Sequence, residues 1–212
     1  MAEPSYLTTA RVSYDVVARD YAELIPARFA GDPIGRAIVA AFAEQVRTGG
    51  GPVADLGCGP GHVTAHLDSL GVSAFGIDIS PRMVDIARRT YPGLRFEIGS
   101  FTDLHIGDGD LGGVLAWWSI CHTPPDVLPS VFGEFHRTLA VGGHVLVGFH
   151  VGEDDRLFPE RSYGHPVCYS TYLLRPDHVT DLLNSAGFAV TARLLTDGPT
   201  WPQACLLARK SR

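Results

Sequence analysis

An α/β fold built on a mostly parallel sheet is predicted by three observations. Strand-like apolar runs alternate with helix-like periodic segments from about residue 50 onward. The run at residues 114–120 is apolar on both faces, as a central parallel strand is. A glycine-rich turn, Asp55-Leu56-Gly57-Cys58-Gly59-Pro60-Gly61, joins an apolar run to a helical pattern. The 212 residues, 45% hydrophobic and 19% charged, suffice for one folded domain with a substantial core and exclude a disordered chain.

Residues 1–50 read as a helical cap ahead of the sheet. Val12, Val16, Val17, Tyr21 and Leu24 form one stripe at helical spacing. Ile34, Ile38, Val39, Phe42 and Val46 form a second, ended by Gly49-Gly50-Gly51. A strand at 53–56 then feeds the glycine turn and a helix over 61–70, stopped by Gly71. A second strand at 74–77 ends at Asp78. Ser80-Pro81 opens the next helix, Ser as N-cap and Pro in the first turn, and Thr90 closes it. Strands follow at 94–98 and 114–120, then a helix at 127–139 and a fifth strand at 144–149 beyond Gly142-Gly143. Residues 151–175 have no regular period. A helix at 176–186 stops at Gly187, and strands at 188–195 and 204–209 finish the chain. The expected organisation is therefore a cap at 1–50 and a sheet domain at 51–212 with an insertion at about 151–175.

Ligands of such sheets bind beyond the carboxyl ends of the strands, which selects the loops after Leu56, Ile77, Ile98, Trp117 and Phe149. The glycine turn lets backbone approach a ligand closely and leads into a helix N-terminus. Asp55 just ahead of it repels a pyrophosphate and suits a ligand bearing a cationic amine. The dinucleotide pattern G-x-G-x-x-G fails as well, because its third glycine would be His62. A net charge of −6 without a Lys/Arg run argues against a nucleic-acid partner. No signal peptide or membrane-spanning stretch is visible. Four widely spaced cysteines suggest neither zinc nor disulfides, so a cytoplasmic protein with reduced thiols is expected. His62 and His66 stand four apart, but Val63 occupies the position where a metalloprotease carries Glu, and no metal is expected.

The turn D-x-G-x-G-x-G resembles motif I of the class I S-adenosylmethionine-dependent methyltransferases, and the order of elements from about residue 50 is similar to theirs. The resemblance implies a three-layer, Rossmann-like, seven-stranded sheet, mostly parallel, whose antiparallel seventh strand pairs with the sixth, under an N-terminal helical lid. It implies S-adenosylmethionine as cofactor and S-adenosylhomocysteine as product. By the same resemblance Asp55, Gly57, Gly59 and Gly61 cradle the methionine part. Asp78 accepts the ribose hydroxyls, with support of the following helix N-terminus as the alternative. Ile79 packs on adenine, and Met83 is a further candidate there, core packing being its alternative. Ser100 stands where the family usually has Asp and offers one acceptor to the adenine amino group; Phe101 offers its backbone N–H. Trp117 belongs near the sulfonium, and Trp118, Ser119 and His122 near the acceptor. The D/N-P-P-Y/F motif of base and amide N-methylation is absent: the chain reads His122-Thr123-Pro124-Pro125.

Methyl transfer is an in-line displacement with a neutral leaving group, so the protein mainly aligns the reactants and excludes water. A base is needed only where the nucleophile loses a proton, and His122, His150 and Tyr14 are the catalytic candidates. Tyr21, with Tyr163 and His165 of the insertion, are candidates for acceptor contact, packing of the lid being the alternative. The expected function is methylation of a small aromatic or heteroaromatic molecule at O, N or C, as in natural product biosynthesis, without nucleic-acid or membrane partners and with a homodimer as an open arrangement. Protein or nucleic-acid methylation and a non-catalytic cofactor-binding module are the alternatives.

Overall fold

The computed structural model describes residues 4–211; residues 1–3 and 212, at the outer ends of the two expected units, lie outside the described residues. Seven strands form one sheet: β1 (Val53–Leu56), β2 (Ala74–Asp78), β3 (Arg95–Ile98), β4 (Leu111–Trp117), β5 (Leu139–His150), β6 (Phe188–Thr196) and β7 (Gln203–Lys210). Their spatial order is β6-β7-β5-β4-β1-β2-β3. β1 lies parallel between β2 and β4, and β7 runs antiparallel between β5 and β6. The chain reverses direction across the sheet at β1/β4, and that crevice is where ligands of doubly wound sheets sit.

Side-chain alternation divides the core between the two faces. Val114, Ala116, Val145 and Val147 point to one face, under α5 (Leu128–Thr138) and α6 (Pro176–Ser185), with Phe132 and Phe135 fully buried there. Leu115, Trp117 and Leu146 point to the other, under α2 (Pro33–Gly49) and α3 (His62–Ser69). Each buried Leu, Val or Phe contributes roughly 1.5–3 kcal/mol, so two cores hold the helices against one sheet. α4 (Pro81–Thr90) packs Val84 and Ala87 on Phe96 at the β3 edge, and its Ser80 N-cap accepts from the Met83 N–H at 3.1 Å.

The first helix, α1 (Ser5–Ala30), differs from its sequence reading. Val12, Val16 and Leu24 are 45%, 41% and 40% exposed; the buried face is Ala10, Ser13, Val17 and Ala18. α1 covers the strand ends and packs on α4 rather than on the sheet. Close approach there is made by small residues, so Val12, Val16 and Leu24 turn outward while Val17 of the same stripe stays buried.

Three boundaries, on two strands, also move. β4 begins at Leu111 and ends at Trp117, not at residues 114 and 120. Its start is hidden by Gly112-Gly113, where a Cβ on Gly113 would lie 2.8–3.0 Å from Val46, Phe42 and Val53. Its end is hidden because Ile120 and Cys121 stay buried after the chain has left the strand for a single 3₁₀ turn. β5 begins five residues early, at Leu139, with a register shift against β4 between Leu111 and Gly113. The insertion forms two short antiparallel ribbons, Asp155–Leu157 with Thr171–Leu173 and Arg161–Ser162 with His165–Pro166. No helix among the described residues is long and apolar enough to cross a membrane.

Candidate active site

After β1 the chain turns through Gly57, Gly59 and Gly61 at φ +77°, +54° and +82°, a left-handed path that any Cβ would strain. Their surroundings separate their tasks. A Cβ on Gly57 would collide with the Ser119 side chain, and one on Gly61 would lie 2.7 Å from the Phe96 ring. A Cβ on Gly59 would meet only the Tyr21 ring, at 3.7 Å. Gly57 thus lets the turn rest on the end of β4, Gly61 lets α3 approach β3, and Gly59 gives its bare backbone to a cavity. Ser119 Oγ donates to the Leu56 carbonyl at 2.7 Å and pins the turn.

Asp78, at the end of β2, is buried on the wall of that cavity. Oδ2 accepts from the Gly59 N–H at 2.7 Å and Oδ1 from the Ser80 N–H at 2.8 Å. Each oxygen keeps a further lone pair. Burial pushes the carboxyl up to about 6, while the two amides pull it down. Ile79, Met83 and, after β3, Gly99, Ser100 and Phe101 continue this wall. The loop bearing Ser100 and Phe101 is held from α5: the Leu104 N–H donates to Glu134 at 2.9 Å, and Arg137 donates to the Leu104 and Ile106 carbonyls at 3.0 and 2.8 Å.

α1 closes the cavity with Leu7, Ala10, Tyr14 and Tyr21, which share one helical face. It is tied down by Asp15, whose Oδ1 accepts from Ser80 Oγ at 2.6 Å and from the Arg82 N–H at 3.1 Å. The insertion is tied to α1 by the Cys168 N–H, which donates to Ser13 Oγ at 3.0 Å, and by His165 Nε2, 2.7 Å from Asp20. The space between these walls is about 680 Å³, counting the solvent in its open mouth.

On the same wall, Tyr14 Oη lies 2.6 Å from His122 Nε2, and His122 Nδ1 lies 2.9 Å from the Ser170 carbonyl oxygen. Tyr14 is stacked on Tyr169, with ring centroids 5.5 Å apart. Burial above all holds His122 down at about 4, so it is neutral near pH 7. Burial and neighbouring phenols push the Tyr14 and Tyr21 hydroxyls well up. Trp118 adopts φ 57°, a conformation that costs a bulky residue about 1–3 kcal/mol, and its ring stacks on His150 at 5.2 Å.

The cavity wall therefore unites Tyr14, Tyr21, Gly57, Gly59, Asp78, Ile79, Met83, Ser100, Phe101, Trp117, Trp118, Ser119 and His122. It does not include the other candidates. Asp55 is buried beneath the turn, where it accepts from Thr64 Oγ1 at 2.6 Å and burial pushes it up to about 7. Gly61 lies under Phe96, and His150 lies behind Trp118. Tyr163 meets Tyr21 edge-on at 5.1 Å, and His165 pairs with Asp20 at the outer seam. Leu7, Ala10, Gly99 and Thr123 join the wall without having been singled out in the sequence. Leu7 and Ala10 were accessible as the residues seven and four before Tyr14 on the same helical face. The Ser170 carbonyl carried no signal, since any residue supplies one.

Comparison with known proteins bears on the chemistry. Residues 53–143 match the family described as methyltransferase domain. An uncharacterized methyltransferase of Synechocystis sp. is 29% identical over 152 residues, 70% of this chain and 72% of that protein. The N-demethylindolmycin N-methyltransferase of Streptomyces griseus is 30% identical over 101 residues, 45% of this chain and 43% of that one, so the match spans less than half of either. The crystal structure of the Burkholderia thailandensis 1,6-didemethyltoxoflavin-N1-methyltransferase, with bound 1,6-didemethyltoxoflavin and S-adenosylhomocysteine, superimposes with a TM-score of 0.73 at 19% identity over 100% of this chain and 92% of that one. That likeness shows the fold.

Proposed function

We propose that the chain is a class I S-adenosylmethionine-dependent methyltransferase, supported by its methyltransferase-domain match and its methyltransferase relative, and that it methylates a small, flat, aromatic or heteroaromatic acceptor at O, N or C. One observation carries the proposal: a single cavity runs from Asp78 and the glycine turn to Tyr14 and His122. The residues at the Asp78 end fit the cofactor. Asp78 has two lone pairs left for the ribose hydroxyls, and Ile79 and Met83 supply apolar surface beside it for adenine. Ser100 supplies a hydroxyl and Phe101 a backbone N–H, while Gly59 admits the methionine part. No Lys or Arg stands among the described wall residues, so a pyrophosphate finds no countercharge there, which favours S-adenosylmethionine over a dinucleotide.

S-adenosylmethionine supplies a methyl group on positively charged sulfur. The chain's own residues supply alignment, dryness and proton handling. Tyr21 stands against Gly59 of the glycine turn and Trp117 shares the wall, and a tyrosine face favours a neighbouring cation by about 0.5–2 kcal/mol. Trp118 and Ser119 bound the acceptor side, and Tyr14 with His122 forms the polar group placed to take a proton. The match to enzymes of small molecules supports this acceptor class.

The test is turnover with methyl-labelled S-adenosylmethionine and a library of hydroxylated and nitrogen-containing ring compounds. The reading expects label in a small product and stoichiometric S-adenosylhomocysteine. Tighter binding of NAD than of S-adenosylmethionine overturns it.

A further inference from the structure

The acceptor end differs from the cofactor end in the hydrogen-bond role it leaves open, and that difference selects a substrate class. The Ser170 carbonyl oxygen can only accept, so His122 Nδ1 carries the hydrogen of their 2.9 Å bond. His122 is neutral near pH 7, so Nε2 holds a bare lone pair. Tyr14 Oη, 2.6 Å away, therefore donates to Nε2. What Tyr14 then has left to offer is oxygen lone pairs. An incoming group satisfies them only by donating a hydrogen. Turning the phenol round to donate to a ligand would leave Nε2 unpaired, at a cost of about 1–3 kcal/mol.

The rest of this end gives the same answer. The groups around His122 are Tyr14 from α1, and Tyr169, at 4.7 Å between ring centroids, and the Ser170 carbonyl from the insertion; His150 lies behind Trp118. None is a fixed charge. Leu7, Ala10, Trp118 and Thr123 are further wall residues, and the only formal charge among the described wall residues is Asp78. A carboxylate acceptor would find no lysine or arginine on the wall, only the sulfonium it is to react with, and a buried charge without a protein partner is disfavoured. An ammonium acceptor would stand near the positive sulfur without a carboxylate of its own.

Resting on the methyl-transfer reading of this cavity, we propose that the acceptor enters uncharged and carries one O–H or ring N–H group, which donates to Tyr14 and is the atom methylated. The balance closes within the site. The acceptor heteroatom forms its bond to the methyl carbon, and the carbon–sulfur pair remains on sulfur. The acceptor hydrogen passes as a proton to Tyr14 Oη, and the Tyr14 proton passes to His122 Nε2. The positive charge that leaves sulfur reappears on the imidazolium, so the cavity's net charge does not change. Burial, which disfavours adding a net charge to His122, is thus not paid a second time. Tyr14 is the catalytic residue here, and His122 acts through it.

The experiment uses the full-length protein saturated with S-adenosylhomocysteine. Tryptophan quenching and calorimetry measure binding of matched ring compounds: hydroxy, carboxy and aminomethyl forms of benzene, naphthalene and quinoline. The hydroxy members should bind at least tenfold tighter than their partners, and Tyr14→Phe should remove that preference. Nitrogen-15 NMR of the same complex should place the His122 hydrogen on Nδ1, a readout independent of acceptor and of turnover. Equal or tighter binding by carboxylates or ammonium forms overturns the proposal, as does hydroxy compounds failing to bind or a hydrogen on Nε2. Failure of S-adenosylhomocysteine itself to bind strikes the methyltransferase site instead, and calorimetry without acceptor tells the two apart.

Discussion

The wall around Asp78 is made by the turns at the ends of three neighbouring strands, whereas the wall around Tyr14 is made by side chains gathered from a helix, a 3₁₀ turn and the insertion. At the Asp78 end, the turns after β1, β2 and β3 supply Gly57, Gly59, Ile79, Ser100 and Phe101, and two backbone N–H groups hold the carboxylate. At the Tyr14 end, one hydrogen-bonded chain spans α1, the 3₁₀ turn after β4 and the insertion; its links join residues 108 and 48 positions apart. The first end depends on the sheet and a few φ angles. The second depends on α1 and the insertion staying docked. Cofactor binding and acceptor handling should therefore fail separately.

The severest disturbance belongs to the backbone end. Gly57→Val places a branched side chain at φ +77° against Ser119. It should abolish S-adenosylmethionine binding and lower Tm by about 5–10 °C, taking about 2–3 kcal/mol of strain and overlap. Binding retained by this variant would break the picture of a turn fixed by φ.

Next comes the acceptor end. His122→Ala should lower turnover about 10²-fold, a usual loss for a positioned proton acceptor, with cofactor affinity kept. His150→Ala should stay within a factor of about three, since His150 lies behind Trp118 and off the wall. Equal losses would place the proton path elsewhere.

Protonation separates the ends further. Burial holds Asp78 at about 6 and Asp55 at about 7 in the folded state, against about 4 in the unfolded chain. Their contribution to stability is therefore complete below about pH 4 and is lost as pH rises to about 7. Cofactor binding should run the other way if Asp78 holds the ribose as proposed, because hydroxyl donors bond best to an ionised carboxylate. Affinity should fall up to about tenfold from pH 8 to pH 5, and Asp78→Asn should flatten that dependence. A pH-independent wild type contradicts it.

The smallest effect is expected at the tie between the ends. Asp15→Ala removes the acceptor that holds Ser80 and Arg82 to α1. Turnover should drop about two- to fivefold, for a part-exposed bond worth about 1 kcal/mol, with faster proteolytic cleavage before residue 30. Unchanged proteolysis would show that other contacts hold α1.

The same division explains what could be read in the sequence. Motif I, Asp78 and Ser80-Pro81 are local patterns whose meaning comes from neighbours within a few residues, and each stands at its expected strand end. The boundaries of β4 and β5 were obscured by glycines and by buried residues past the strand end, where apolar character no longer follows the strand. Val12 and Val16 stand exposed while Val17 of the same stripe is buried, because helical spacing finds a face without saying what packs on it. Asp55 stands out in the sequence for its charge beside the glycines, yet its side chain turns to Thr64 on α3. Tyr14 and His122 were each identifiable by residue type, but not their bond, nor the Ser170 carbonyl that fixes its polarity.

Calorimetric titration of S-adenosylhomocysteine into the wild type, Asp78→Ala and Tyr14→Phe tests the two-ended cavity most directly. Asp78→Ala should bind at least tenfold more weakly, for the loss of charge-assisted bonds worth about 1.5–3 kcal/mol. Tyr14→Phe should bind within a factor of about two of the wild type while its methyl transfer falls at least tenfold. Unchanged affinity in Asp78→Ala, or an equal loss of affinity in both variants, would contradict the account.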